Sequence, residues 1–367
     1  MRKTHWLGRT ALVLAVVALA VAAAGCGGSS KKSTSTTTPP TGTTGGTGTS
    51  TTGGATGGAP IKVGLVTDIG GLNDRSFNHL AYLGLQKAQS DLGVTGRVLE
   101  SKSAGDYIPN LSSLARQNYD IVIGVGFLMA DQIATVAKKF PDTKFAIVDF
   151  PAAALKGKPT NVEGLIFKEQ EAGYLVGYLS GLLEKKEGAN GKHTVASVGG
   201  QKIPPVDHYI AGFQYGAKQA DPTVKTLNAY SQDFVDQAKC KEIALNQIGQ
   251  GSDVEFQVAG GCGLGALDAA KQKNVWGIGV DADQAYLGPQ MLTSALKKVD
   301  VAVFTVIKQA QDGSFTGGSD YVSDVKNGGV GIGKISSKVP ADIVAQVKAQ
   351  ETKLAAGSIA NIPDTVK

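Results

Sequence analysis

Read for its apolar and polar positions, the chain falls into three unequal parts. Arg2, Lys3 and Arg9 make a basic start, followed by an apolar run of 14 residues, Ala11–Ala24. Gly27–Pro60 is then almost free of apolar side chains. From Ile61 onward the pattern becomes periodic. Short β-rich runs recur at Ile61–Val66, Val94–Ser101, Ile121–Val125, Lys144–Asp149, Thr194–Val198, Val224–Tyr230, Val254–Val258 and Val275–Val280. Between most of them lie segments of helical period. Ser76–Leu92 places Phe77, Ala81, Leu85, Ala88 and Leu92 on one stripe, and Leu128–Phe140, Glu169–Leu183, His208–Gln219, Asp233–Gly249 and Leu264–Lys273 behave similarly. Strands written as unbroken apolar runs are buried on both faces. Their alternation with helices predicts an α/β protein built from parallel sheets with helices on both sides.

Asn161–Phe167 is an extra run that enters a long helix without its own return strand, and it reads as a crossover between two lobes. The pattern before it and the pattern after it each resemble a complete doubly wound sheet. Val299–Asp312 is a further helix, and the tail reads as short strands and turns. The expected lobes are residues 61–165 with about 284–315, and residues 166–283 with about 316–367. Two such lobes joined by a hinge are the layout of a binding protein, whose ligand would lie beyond the carboxyl ends of the strands.

The first 25 residues read as a secretory leader: a basic region, a short apolar region and small residues before the cut. Fourteen apolar residues are too few to span a bilayer comfortably. Cys26 follows "AAAG" as in a lipobox, with Ala23 where leucine is usual. Acylated Cys26 would hold the protein on the extracytoplasmic face of the membrane; the alternative is a plain leader and an unmodified cysteine. Residues 26–60 cannot offset their ordering entropy by burial. They read as a flexible tether with a reach of roughly 30 Å.

Charge narrows the functional classes. Of 36 basic residues, five lie in the first 60 positions, whereas all 31 acidic residues lie beyond them. The globular part is therefore formally neutral, which removes the electrostatic motive for nucleic-acid binding. With Cys26 assigned to lipid, Cys240 and Cys262 remain, an even number that permits one disulfide in an exported protein; two buried thiols are the other reading. The four histidines show no metal-binding spacing, no G-x-S-x-G elbow appears, and neither a metal nor a cofactor is expected.

The loops at the strand ends carry the candidate chemistry. Asp68, Asn73, Asp74, Phe77 and Asn78 follow the first strand, Gly126 and Phe127 the third, and Asp149 ends the fourth. Further on come "GGQKIPPVDHYIAGF", leading to Phe213, then Asp233, "AGGCGLG" and "GVDAD". Carboxylates there can accept hydrogen bonds from ligand hydroxyl or N–H groups. An aromatic from each lobe could sandwich a flat ring, each contributing about 1 kcal/mol beyond its burial. Phe77 and Phe213 also sit on ordinary helical stripes, so core packing competes with that reading.

Five blocks, "GLVTDIGGLNDRSFNHLAYLGL", "GFLMADQIATVAKKFPDTKFAIVD", "NVEGLIFKEQEAGYLVGYLSGLL", "KIPPVDHYIAGFQYGAK" and "GVDADQ", together resemble the basic membrane lipoprotein family. The resemblance implies a periplasmic-binding type I fold and a monomeric purine nucleoside receptor that delivers its ligand to ABC transporter permease subunits. It implies Phe77 and Phe213 as the stacking pair, and Asp68 and Asn78 at the base edge. Asp149, Gly261, Asp281 and Lys297 would lie on the ribose side. Cys262 stands where a small hydroxylated residue is more usual. The competing motif is "GCGLGA", Gly261–Ala266, with Asp281 downstream, a formal dinucleotide fingerprint that sits oddly behind an export leader. A receptor for another small polar ligand, such as a sugar, is the remaining alternative.

Overall fold

The computed structural model describes residues 59–187 and 193–366. The leader (1–25), Cys26 and the tether up to residue 58 lie outside the described residues. The strands are β1 (Lys62–Val66), β2 (Thr95–Leu99), β3 (Ile121–Val125), β4 (Lys144–Val148), β5 (Val162–Phe167), β6 (Thr194–Gly199), β7 (Lys225–Tyr230), β8 (Val254–Val258), β9 (Trp276–Asp281), β10 (Met291–Lys297), β11 (Asp320–Ser323) and β12 (Val330–Ile332). The helices are α1 (Phe77–Leu92), α2 (Tyr107–Arg116), α3 (Ala130–Lys139), α4 (Glu169–Glu187), α5 (Pro204–Ala220), α6 (Gln237–Gly249), α7 (Gly260–Lys273), α8 (Val299–Asp312) and α9 (Ala341–Ala355).

Two six-stranded sheets result, in the orders β11-β5-β4-β3-β1-β2 and β12-β10-β9-β8-β6-β7. Among the described residues, all strand pairings are parallel except β10 with β12. In the first lobe, Val63, Leu65, Ile121 and Ile123 face α1 and α8, while Val66, Val122, Phe145 and Ile147 face α2 and α3. This two-sided burial is what the unbroken apolar runs of β3 and β4 require. In the second lobe, α4, α5 and α9 cover one face, and α6 and α7 the other.

The lobe boundaries differ from the sequence expectation at two strands. β10 lies within the span expected to return to the first lobe, yet it pairs with β9 in the second sheet, Ser294 beside Gly279. β11 was expected in the second lobe and pairs with β5 in the first, Tyr321 beside Leu165. Asn161–Phe167 likewise contains a full strand, β5, hydrogen-bonded to β4 before the chain crosses. The chain thus passes between lobes three times, after β5, β10 and β11. The crossings are tied together: Lys168 N donates to Ser323 O at 2.9 Å, and Lys298 N donates to Gly329 O at 2.8 Å. The tail is more helical than its pattern suggested, because α9 buries Ile343, Val347 and Leu354.

Candidate ligand-binding cleft

Between the lobes, at the carboxyl ends of the strands, lies a narrow cleft of about 70 Å³. Its first-lobe wall is built from β1 and the start of α1. Asp68 follows β1 and is 9% exposed. Its Oδ1 accepts from Asn78 Nδ2 at 2.7 Å and from Gly70 N at 2.9 Å. Its Oδ2 points toward Gly126, where a Cβ would sit only 3.1 Å away. Gly126 has φ 120°, so a side chain is excluded on both counts. Burial pushes the Asp68 carboxyl up to about 6, against the hydrogen bonds from Asn78 and Gly70.

Asn78 lines the same wall, but both its amide donations are spent within the protein, on Asp68 and on Asp74. Its Oδ1 accepts from Asp68 N. Asn78 therefore holds Asp68 in place and offers a ligand only the remaining capacity of Oδ1. Asp74 caps α1, accepting from the backbone N–H groups of Ser76, Asn78 and His79. Phe77, the first residue of that helix, lines the cleft.

The charged end of the cleft is assembled by both lobes. Lys297, at the end of β10, is 2% exposed. Its Nζ lies 2.6 and 2.7 Å from the two oxygens of Asp149, at the end of β4, and 2.8 Å from Glu169 Oε1, at the start of α4. Glu169 Oε2 lies 3.0 Å from His208 Nδ1. The ammonium also sits over the rings of Phe77 and Phe167, 5.1 and 4.8 Å from their centroids. Burial alone would lower the Lys297 pKa, but Asp149, Glu169 and Asp281 together hold it above the usual lysine range. Burial pushes Asp149 up to about 7 despite Lys297. Burial also favours the neutral form of Glu169, yet Lys297 and His208 keep it below the ordinary range. Asp281 closes β9, where burial raises its pKa. Five buried carboxylates against one buried lysine leave little welcome for a phosphate, and favour a neutral ligand rich in hydroxyl and N–H donors.

The structure brings Asp68, Phe77, Asn78, Asp149, Gly261, Asp281 and Lys297 to this one cleft. Phe213 is not among them, and the expectation of a Phe77/Phe213 stacking pair is corrected here. Phe213 is fully buried, with its ring 5.1 Å from that of Phe256. The reason is helical geometry. The first turns of α5, with Pro205, Val206 and Tyr209, line the cleft. Phe213 lies nine residues into the helix, roughly 13 Å further from the cleft at the rise of an α-helix. There α5 packs so closely on α4 that side chains at Gly173 or Gly177 would overlap its backbone.

Besides Tyr209, a second-lobe aromatic on the cleft is Phe234, in the loop after β7. Its carbonyl accepts from Cys262 N at 3.0 Å, and its ring fills the place a side chain at Gly200 would need. Sequence reasoning flagged its neighbour Asp233 and missed the ring, although the rule that selected Asp233, a polar loop at a strand end, reaches Phe234 as well. Glu169, Tyr209 and Ser76 were also missed.

Cys240 and Cys262 are joined as a disulfide between α6 and α7, with Cα atoms 5.6 Å apart. In "GCGLGA", Gly263 and Gly265 make room for Gln257 and for the backbone of Gln237. These glycines serve helix packing inside the lobe. Among the described residues no cluster suited to a metal ion occurs, and no helix is long and apolar enough to cross a membrane.

Fold and cleft define a two-lobed solute receptor of the periplasmic-binding type I class. Solved ABC transporter solute-binding proteins from Aeropyrum pernix (TM-score 0.75, 27% identity, 83% of this chain and 94% of that one) and Conexibacter woesei (TM-score 0.66, 26% identity, 83% and 100%) share it. Residues 61–364 match the Bmp family, the PnrA-like substrate-binding proteins of ABC transporters, and the chain belongs to that family. It is similar to a CD4+ T-cell-stimulating antigen of Listeria monocytogenes, 34% identical over 319 residues, 81% of this chain and 87% of that protein. It is equally similar to the ABC transporter nucleoside-binding protein BmpA of Lactococcus lactis, 34% identical over 312 residues, 78% and 86%. An uncharacterized lipoprotein of Pyrococcus horikoshii is 34% identical over 324 residues, 81% and 78%. The protein is thus a substrate-binding component of an ABC transporter and not an enzyme.

Proposed function

We propose that the protein captures a purine nucleoside in this cleft and presents it to the permease subunits of its transporter. The observation that carries the reading is the pairing of one aromatic from each lobe, Phe77 and Phe234, on a single cleft that also holds Asp68 on one wall and Asp149, Asp281 and Lys297 on another. A purine between the rings gains stacking. Asp68 Oδ2 would accept a base N–H. Asp149 and Lys297 supply an acceptor and a donor suited to ribose hydroxyls. The name of the Lactococcus lactis relative supports the same ligand class.

Binding contacts on both lobes would favour a closed form, because only differential affinity shifts such an equilibrium. The lipoprotein name of the Pyrococcus relative supports acylation of Cys26 and placement on the extracytoplasmic face. Loss of membrane association in Cys26→Ala would be expected; an unchanged membrane fraction would refute the anchor.

Calorimetry with inosine, guanosine, adenosine, cytidine, ribose and glucose tests the ligand. The expected result is tight binding of purine nucleosides with weak or absent binding of the rest. Binding of glucose or ribose alone would sink the nucleoside reading.

A further inference from the structure

The first-lobe segment Arg75–Ser76 meets the second-lobe turn that follows β9 through hydrogen bonds the ligand chemistry does not require. Ser76 is fully buried. Its hydroxyl lies 2.6 Å from Asp281 Oδ2 and 3.2 Å from Val280 O. One residue earlier, Arg75 O accepts from Gln284 Nε2 at 3.4 Å. Gln284 is itself fully buried and anchored, its Oε1 accepting from Gln257 Nε2 and from Val280 N. Both sides of the contact use left-handed backbone at non-glycine residues, Arg75 at φ 56° and Asp281 at φ 60°. Such conformations persist where surrounding contacts over-determine them.

The other oxygen of Asp281 accepts from Tyr209 OH at 3.2 Å. Tyr209 belongs to the same lobe as Asp281, on α5, whereas Ser76 belongs to the opposite one. The two hydroxyls therefore differ in when they reach the carboxylate. Tyr209 can hold Asp281 in any arrangement of the lobes; Ser76 can do so only when the lobes meet.

We infer that Ser76 is a closure-dependent positioning residue: its hydroxyl reaches across from the first lobe to fix the Asp281 carboxylate of the second, so that this wall of the cleft is completed only as the lobes close. The bond is charge-assisted and shielded from water, the circumstances in which a hydrogen bond contributes most. Because it exists only in the closed form, it raises the closed fraction before any ligand arrives. Apparent affinity scales with that fraction. Its loss should show as faster dissociation of a ligand captured between the lobes.

The test compares Ser76→Ala, Ser76→Thr and Tyr209→Phe in the full-length protein, by hydrogen exchange without ligand and by stopped-flow binding of inosine. Ser76→Ala should raise exchange at residues 75–78 and 282–284 in the ligand-free protein, and speed inosine release by about tenfold, the loss of one such bond, with little change in association. Ser76→Thr, which keeps the hydroxyl, should restore both. Tyr209→Phe should weaken inosine without raising exchange at residues 75–78. Unchanged exchange in Ser76→Ala would overturn the inference, as would a uniform rise across the first lobe, which marks a damaged fold. The ligand assignment enters only the inosine arm. If wild-type protein ignores inosine, that assignment fails and the exchange arm still decides the role of Ser76.

Discussion

Three phenylalanines show how far a single residue can be read. Phe77 and Phe213 both occupy helical stripes, and pattern alone gives them equal standing. What separates them is distance along the helix: Phe77 is the first residue of α1, whereas Phe213 lies nine residues into α5. Phe234 has no stripe at all, being in a loop, and periodicity carries no signal for it. Its position after β7 was the legible feature. Phe77→Ala and Phe234→Ala should each weaken purine nucleoside binding by about tenfold or more, from lost stacking and burial, with little change in melting temperature. Phe213→Ala should do the reverse, costing about 3–5 kcal/mol of stability as a core truncation. Calorimetry and thermal unfolding on the three variants check the assignment. Loss of binding in Phe213→Ala without loss of stability would contradict the structure. The carboxylates were the easiest site residues to find, because a buried strand has few reasons to end in Asp other than to place an acceptor at its tip.

The unbroken apolar runs of β3 and β4 were legible, whereas β10 and α2, interrupted by buried polar residues or proline, were not. β10 reads Met-Leu-Thr-Ser-Ala-Leu-Lys, and its central Thr293 and Ser294 look like a turn. Both are fully buried, Thr293 donating to Gly333 O and Ser294 accepting from Gln284 N. α2 carries Pro109 in its first turn, where proline is tolerated but interrupts the pattern. The α6–α7 pair was placed correctly as two helices, and the disulfide between them is a property of that pair. It closes a sequence separation of 22 residues. By chain entropy its removal should destabilise the protein by about 3 kcal/mol. Denaturant unfolding of Cys240→Ala/Cys262→Ala against the oxidised parent measures this. The ligand-binding cleft should survive in the folded double variant, since neither cysteine lines it.

At the scale of the whole molecule, several acids are held in environments that favour their neutral form. Glu255, in β8, is fully buried, and burial pushes its carboxyl from 4.5 up to about 8, offset in part by Ser252. Glu184 is pushed up to about 7, first by burial and then by Asp253. A group of this kind keeps its proton in the folded state at pH values where the unfolded chain has released it. The folded state then binds more protons, so stability falls as pH rises between about 4.5 and 8. Each such group contributes a slope of at most about 1.4 kcal/mol per pH unit. Thermal unfolding should therefore show a higher midpoint near pH 5.5 than near pH 8, and Glu255→Gln should flatten that difference. A pH profile identical in Glu255→Gln would show that the carboxyl already titrates normally. The threefold passage of the chain between lobes has a consequence of another kind. One sheet lacks an edge until residue 323 has been made, and the other lacks β12 until residue 332, with its covering helix ending only at residue 355. A growing polypeptide leaving the ribosome therefore holds two unfinished halves until residue 332 has emerged, a slow, non-local assembly.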